Sequence, residues 1–143
     1  MVNAQEYAQR YVAFINEHNL DRADEFYAVD IVFHDPVPAE KVVHGLEGMK
    51  HFVGGLIHAF PDLHFTADAA YGQGDRIAWH GSLRGTMQND YGPIPATGTT
   101  AEVPLAEFYR LENDKIAEAW VFIDSLWLMQ QLGVIPAPEA ATT

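Results

Sequence analysis

The 143-residue sequence predicts a cone-shaped α+β domain in which a curved antiparallel sheet carries helices on one face. Up to Phe60, apolar residues recur at the three- and four-residue spacing of helices. From Leu63 onward they alternate with polar residues, as in strands. Helices therefore come first and strands follow. We expect such a domain to enclose an apolar pocket between its layers. The other sheet face needs cover, which usually comes from a second subunit.

The predicted helices have recognisable boundaries. The first begins after Asn3, an N-cap residue type with Glu6 three residues on, and Asp21 is expected to cap a short second helix that runs through Phe26. A third helix begins near Gly45 and ends at Pro61, and a short fourth one ends at Gly133. The first helix carries an apolar stripe of Ala4, Tyr7, Tyr11, Phe14 and Ile15.

Five strands are expected. The first covers residues 31–34 and ends at Asp35-Pro36, because proline cannot continue a strand ladder. Two long strands flank the turn at residues 72–75, and two more flank the hairpin turn at residues 112–114, with a Gly- and Pro-rich loop over residues 88–100 between the pairs. Residues 1–135 form a single domain in this interpretation, and residues 136–143 form a flexible tail.

Composition excludes several classes of function. A formal net charge of −12 with only eight Lys and Arg argues against nucleic-acid binding and against coenzymes with several phosphates. The absence of cysteine excludes disulfides and a thiol nucleophile. We expect no membrane segment, no signal peptide and a cytoplasmic location.

Three polar residues stand out because they lie on apolar faces. Tyr11 is in the middle of the first helix stripe, although a core tyrosine with its hydroxyl at the surface would look the same. Asp35 ends the first strand, where a turn residue is the alternative. Glu107 is the one charged group on the strand face of Val103, Leu105, Tyr109 and Leu111.

The hairpin turn determines the neighbours of Glu107. A type I turn at Asn113-Asp114 followed by a bulge would place Glu107 opposite Val121, among apolar residues. Burial would then raise the pKa of this carboxyl group and keep it protonated, so that it donates a hydrogen bond. The alternative is a face turned to solvent or to an interface. The opposite face of the last strand is expected to carry Ile116, Glu118, Trp120 and Phe122, with Asp124 after it as a helix cap.

Metal and serine chemistry are not indicated. His44, His51 and His58 are seven residues apart, and seven helical residues span roughly 10 Å, too far for one metal ion. Neither serine, Ser82 or Ser125, is in a nucleophile elbow. We therefore predict no metal and no cofactor.

Several segments resemble the SnoaL-like polyketide cyclases of the nuclear transport factor 2-like superfamily, whose fold is a cystatin-like α+β barrel. Residues 91–98 (YGPIPATG) resemble the family's Gly- and Pro-rich loop, residues 108–120 (FYRLENDKIAEAW) its last hairpin, and residues 130–133 (QQLG) its ending. Met87 and Asp114 depart from the pattern. Val121 stands where the resemblance implies an acid/base aspartate.

The N-terminal half resembles ketosteroid isomerase, a relative with the same fold. The resemblance assigns the oxyanion-hole tyrosine to Tyr11, in residues 10–13 (RYVA), and the general base to Asp35, in residues 34–37 (HDPV). It assigns the protonated oxyanion-hole acid to Glu107. The residues chosen for their unusual surroundings are thus the ones that the resemblance marks as catalytic.

The combined hypothesis is proton abstraction next to a carbonyl, followed by intramolecular aldol-type cyclisation of a hydrophobic ketone. Asp35 is the base, Tyr11 and Glu107 are donors, and His34 and His80 tune or relay protons. A ketosteroid-isomerase-like double-bond isomerase and a non-catalytic, hydrophobic ligand-binding dimer are the alternatives. We expect the protein to assemble as a homodimer or a homotetramer. The predicted apolar wall consists of Phe14, Phe52, Leu56, Trp79, Trp120, Leu105 and Val121.

Overall fold

The computed structural model describes residues 2–35 and 41–136 and has the predicted α+β fold, with a curved, open, six-stranded sheet. Pro36, where the first strand was expected to stop, and residues 137–143 of the predicted tail lie outside the described residues. The α-helices are α1 (Ala4–Glu17), α2 (Gly45–Ala59) and α3 (Ser125–Leu132). The strands are β1 (Tyr27–Asp35), β2 (Lys41–His44), β3 (His64–Gln73), β4 (Arg76–Thr86), β5 (Thr100–Glu112) and β6 (Lys115–Ile123).

The sheet order is β2-β1-β6-β5-β4-β3, and it contains one parallel pair, β1 with β6. The sheet is therefore mixed, whereas the sequence predicts an antiparallel one. The difference arises at one place, where β1 lies beside β6 and runs in the same direction, while β3 to β6 form an antiparallel meander. Strand β2, which pairs antiparallel with β1, has only four residues and was not predicted.

Helix α1 forms for the predicted reason. The side chain of Asn3 accepts a hydrogen bond from the backbone N–H of Glu6 at 3.0 Å, and the buried side of the helix includes Tyr7, Tyr11 and Phe14. The short second helix is a 3₁₀ helix, Leu20–Glu25, and its cap is Asn19 rather than Asp21. None of the helices in the described ranges is both long enough and apolar enough to cross a bilayer.

A side chain near the C-terminal end of α1 connects this helix to the sheet by hydrogen bonds. Asn16 donates to the backbone carbonyl of Phe65 at 2.9 Å and accepts from the N–H of the same residue at 2.7 Å. The amide thus satisfies both backbone groups of a residue in β3, as a neighbouring strand would.

A bulge bends the sheet between β3 and β4. Ala67 pairs with Gly81 and Ala69 pairs with His80, so Asp68 is the extra residue. A Cβ atom at Gly81 would lie 1.8 Å from the carbonyl oxygen of Thr66. Glycine is required here because the two backbones approach too closely for any side chain.

A second bulge sets the register of the last hairpin. Asn113 and Asp114 both have positive φ (52° and 62°), which makes a type I′ turn and not the predicted type I turn. Ala117 is then the extra residue, and Glu107 pairs with Val121 as predicted. The bulge also turns Ile116 into the core, where it is fully buried, although the sequence pattern assigned it to the opposite face.

Candidate functional site

The inner face of the sheet, the face covered by α1 and α2, carries one row of residues across four strands. Trp79 pairs with Glu107, and Glu107 pairs with Val121. In the parallel pair, His34 is beside Trp120, so Asp35 is beside Val121 one residue further along both strands. Asp35 and Glu107 are therefore two strands apart in the same row, at a Cα separation of about 10 Å from the usual strand spacing.

Glu107 is buried, with 4% of its surface exposed. Its Oε1 accepts a 2.5 Å hydrogen bond from the hydroxyl of Tyr109, and that hydroxyl accepts one of 2.8 Å from the indole N–H of Trp79. Burial raises the pKa of Glu107 to about 7, and the bond from Tyr109 opposes part of this rise. Glu107 therefore changes between neutral and charged forms near neutral pH.

The second oxygen of Glu107, Oε2, is not used by the hydrogen bond from Tyr109. It takes part in no hydrogen bond with a described residue. Within the described ranges, however, no fully buried side-chain nitrogen or oxygen lacks a hydrogen-bond partner. Oε2 is therefore not completely enclosed, and it can donate a hydrogen bond when the carboxyl group is protonated.

Tyr11 reaches the same region from α1. Its hydroxyl shares a 2.7 Å hydrogen bond with the hydroxyl of Tyr27, and its ring packs edge-on against Tyr109 at 5.4 Å. Burial raises the pKa of Tyr11 well above its usual value, and the neighbouring hydroxyl of Tyr27 and the carboxylate of Glu107 raise it further. Tyr11 is neutral at physiological pH and keeps its proton for donation.

Asp35 is the other buried acid of the described residues, with 9% exposed. It lies near Tyr91, whose pKa is raised by burial and then by the negative charge of Asp35. Tyr91 comes from the loop between β4 and β5, where its backbone forms a tight turn with Ile94. The loop thus brings a phenol to the predicted base.

The structure does not bring His34, His80 and Trp120 to this face. Neighbouring residues of a strand point to opposite sides, so His34 faces away from Asp35, and His80 faces away from Trp79. His34 bonds Glu118 at 2.8 Å and stacks on Trp120 at 5.2 Å on the outer face. His80 is exposed and stacks on Tyr71 at 6.3 Å.

The other predicted wall residues lie between the helices and the sheet. Phe14, Trp79, Leu105 and Val121 are buried on the inner side. Phe52 and Leu56 of α2 are partly buried and pack against the core, with the ring of Phe52 at 5.2 Å from that of Phe33. Phe14, Phe26 and Tyr109 surround Tyr11, so aromatic rings fill this part of the interlayer space.

The predicted apolar pocket between the layers stays a prediction. An open groove of about 590 Å³ lies instead along one end of the sheet, with Tyr71, Arg76, Phe108 and Trp120 in its lining. No three His, Asp or Glu side chains of the described ranges are grouped to bind a metal ion.

Three tyrosines of the site were not singled out from the sequence: Tyr27, Tyr91 and Tyr109. A signal existed for Tyr109, because it is two residues from Glu107 on one strand and must share its face. Tyr27 and Tyr91 come from a strand start and a loop, and only the tertiary structure brings their hydroxyl groups here.

Residues 5–132 match the family model described as SnoaL-like polyketide cyclase. TsrD from Streptomyces laurentii is similar in structure with a TM-score of 0.79 and 26% identity, covering 92% of this chain and 95% of that one. No curated protein matches the chain in sequence.

Two further structures share the fold. A SnoaL-like polyketide cyclase from Agrobacterium tumefaciens has a TM-score of 0.76 and 22% identity, covering 93% of this chain and 100% of that one. A protein from Catenulispora acidiphila with a ketosteroid-isomerase-like fold, solved with trimethylamine, has a TM-score of 0.79 and 18% identity, covering 92% of this chain and 95% of that one. At these identities the likeness extends to the fold alone.

Proposed function

Because the chain belongs to the SnoaL-like polyketide cyclase family, we propose that it is a cyclase-type enzyme that forms an enolate from a hydrophobic ketone without a cofactor. Asp35 is the general base, and Tyr11 and neutral Glu107 donate hydrogen bonds to the enolate oxygen. The observation that carries the proposal is the row on the inner face. It holds two buried carboxyl groups about 10 Å apart at Cα, one of them with a pKa raised to about 7.

The chemistry requires the two acids to have different protonation states. The carboxylate of Asp35 takes a proton from the carbon next to the carbonyl, and the C–H electron pair moves to give the enolate. The developing oxyanion accepts hydrogen bonds from Oε2–H of Glu107 and from the hydroxyl of Tyr11, while Tyr27 donates to Tyr11. The enolate carbon then bonds a second carbonyl carbon of the same molecule, and the resulting alkoxide recovers the proton from Asp35.

A double-bond isomerase is the second candidate, favoured by the combination of Tyr11, Asp35 and Glu107. It shares the enolate and differs in the last step, since the proton returns to another carbon and no new carbon–carbon bond forms. Product analysis separates the two reactions. A carrier without chemistry would bind the ketone and exchange no proton.

The test is hydrogen exchange in deuterated water with 2-tetralone, an apolar ketone with activated protons, as the probe. Asp35→Asn should lower the protein-catalysed exchange rate by about 10²–10⁴-fold. Asp30→Asn is the matched control, because Asp30 is an exposed acid on the same strand. If Asp35→Asn exchanges as fast as the parent, Asp35 is not the base.

The outer face of the sheet suggests the quaternary structure. Phe108 and Phe122 are 44% and 54% exposed, and their rings are in contact at 5.8 Å. We propose that a second copy of the chain covers this face, as a dimer or as part of a tetramer. Phe122→Asp should then reduce the sedimenting mass to that of the monomer, while Ala13→Asp, on the exposed side of α1, should leave it unchanged.

A further inference from the structure

Two residues connect Glu107 to the interior of the protein in one hydrogen-bond chain. The indole N–H of Trp79 bonds the hydroxyl oxygen of Tyr109 at 2.8 Å, and that hydroxyl bonds Oε1 of Glu107 at 2.5 Å. Trp79 and Tyr109 are each 1% exposed, so water does not compete for these bonds. Glu107 is a predicted catalytic residue and Trp79 a predicted wall residue, but nothing in the sequence predicted the hydrogen bonds that link them through Tyr109.

The direction of the chain is fixed by its first member. An indole N–H can only donate, so the oxygen of Tyr109 must accept from Trp79. The single proton of Tyr109 is then free to point to Glu107, and Oε1 is held as an acceptor. In a neutral carboxyl group the carbonyl oxygen is a better acceptor than the hydroxyl oxygen, so the bond from Tyr109 favours Oε1 as the carbonyl oxygen and the proton on Oε2.

We infer that Trp79 and Tyr109 are positioning residues that hold the proton of neutral Glu107 on Oε2, the oxygen that keeps solvent access. The use made of this proton rests on the proposed function, but its location does not. Without the indole donor, the hydroxyl oxygen of Tyr109 could accept a hydrogen bond from neutral Glu107 instead. The carboxyl proton would then be on Oε1 and would not be available to a ligand at Oε2.

Few of the groups that face Glu107 change their charge near neutral pH. Tyr109 comes from its own strand, Tyr11 from α1, and Tyr27 from β1, and burial raises the pKa of all three above the usual tyrosine value. Asp35, across Val121 in the same row, is the acid that faces it from β1. Asp35→Asn removes this acid, so a titration that persists in that variant does not come from Asp35.

The first readout is the indole proton of Trp79 in a nitrogen-15 NMR titration, assigned by its loss in Trp79→Phe. As Glu107 ionises, Tyr109 donates more strongly and polarises the indole bond, so this resonance should shift with a midpoint near 7. In Tyr109→Phe and in Glu107→Gln the shift near that midpoint should disappear. An equal shift in Tyr109→Phe would mean that the charge acts through space, and no shift in the parent would mean that the chain carries no polarisation. Either result overturns the inference.

The second readout is the carboxyl carbon of Glu107 itself. The bond from Tyr109 stabilises the charged form, so Tyr109→Phe should raise the pKa of Glu107 by about 1 to 2 pH units. Trp79→Phe should raise it less, because the bond to Tyr109 remains. An unchanged pKa in Tyr109→Phe contradicts the assigned role.

These readouts need no substrate, so they separate the inference from the proposed function. If Asp35→Asn leaves exchange unaffected while the NMR results are as expected, the proposed function fails and the inference holds. If exchange depends on Asp35 but the indole resonance of Trp79 does not shift with pH, the proposed function holds and the inference fails. With both intact, Trp79→Phe and Tyr109→Phe should lower kcat of exchange more than they change KM.

Discussion

The raised pKa of Glu107 makes the stability of the folded protein depend on pH. A carboxyl group with a higher pKa in the folded state than in the unfolded state binds its proton more tightly when folded. The contribution of Glu107 to stability is complete below its pKa in the unfolded state, 4.5. It is lost as the pH rises through its pKa in the folded state, about 7. The charged form is the one that burial penalises, so Glu107 destabilises the fold at alkaline pH.

The size of the effect follows from the two pKa values. Their difference of about 2.5, at about 1.4 kcal/mol per pH unit, corresponds to about 3 kcal/mol. Most of this loss should fall between pH 5 and pH 8. Glu107→Gln removes the titration and keeps a side-chain oxygen to accept the bond from Tyr109, so it isolates the charge from the hydrogen bond.

The assay is urea unfolding of the parent and of Glu107→Gln at a series of pH values and one protein concentration. The unfolding free energy of the parent minus that of the variant should fall by about 3 kcal/mol from acid to alkaline pH. Glu102→Gln, an exposed position on the same strand, should follow the parent. A difference that does not vary with pH would refute the reasoning, because Glu107 would then ionise alike in both states.

Two further predictions concern the frame of the sheet. Gly81→Ala should destabilise the fold by on the order of 3 kcal/mol in urea unfolding, because its Cβ would overlap the backbone of Thr66, whereas Gly54→Ala in α2, with 3.5 Å to its nearest neighbour, should be neutral or stabilising. Asn16→Ala should cost roughly 2 kcal/mol by loss of its two hydrogen bonds to Phe65, and an unchanged midpoint would mean that water replaces them.

The order of elements could be predicted because the period of the apolar residues changes once along the chain. The pairing of Glu107 with Val121 was also correct, although the turn type was wrong. The observed hairpin has a type I′ turn at Asn113 and Asp114 and a bulge at Ala117. This combination shifts the strand register by one residue, as the predicted type I turn with its bulge would also do. Local sequence did not distinguish these two arrangements.

The placement of the histidines shows what strand geometry adds. His34 and Asp35 are consecutive residues of β1, as Trp79 and His80 are of β4, so the members of each pair cannot share a face. A period of two already excludes His34 and His80 from the inner row. The parallel pairing of β1 with β6, which brings Asp35 beside Val121, joins residues far apart in the chain, and short motifs carry no signal for it.

The bulge at Ala117 has a consequence for comparing this chain with its relatives. Beyond Ala117, β6 contributes Ala119, Val121 and Ile123 to the inner face. In a relative with one residue fewer at this point, the residue that aligns with Trp120 and its alternate neighbours would face inward instead. The two aligned sequences could still look alike. Gap placement in this hairpin therefore decides which residues of a relative correspond to the wall beside Glu107. An alignment that moves the gap by a few positions would exchange wall residues for surface residues.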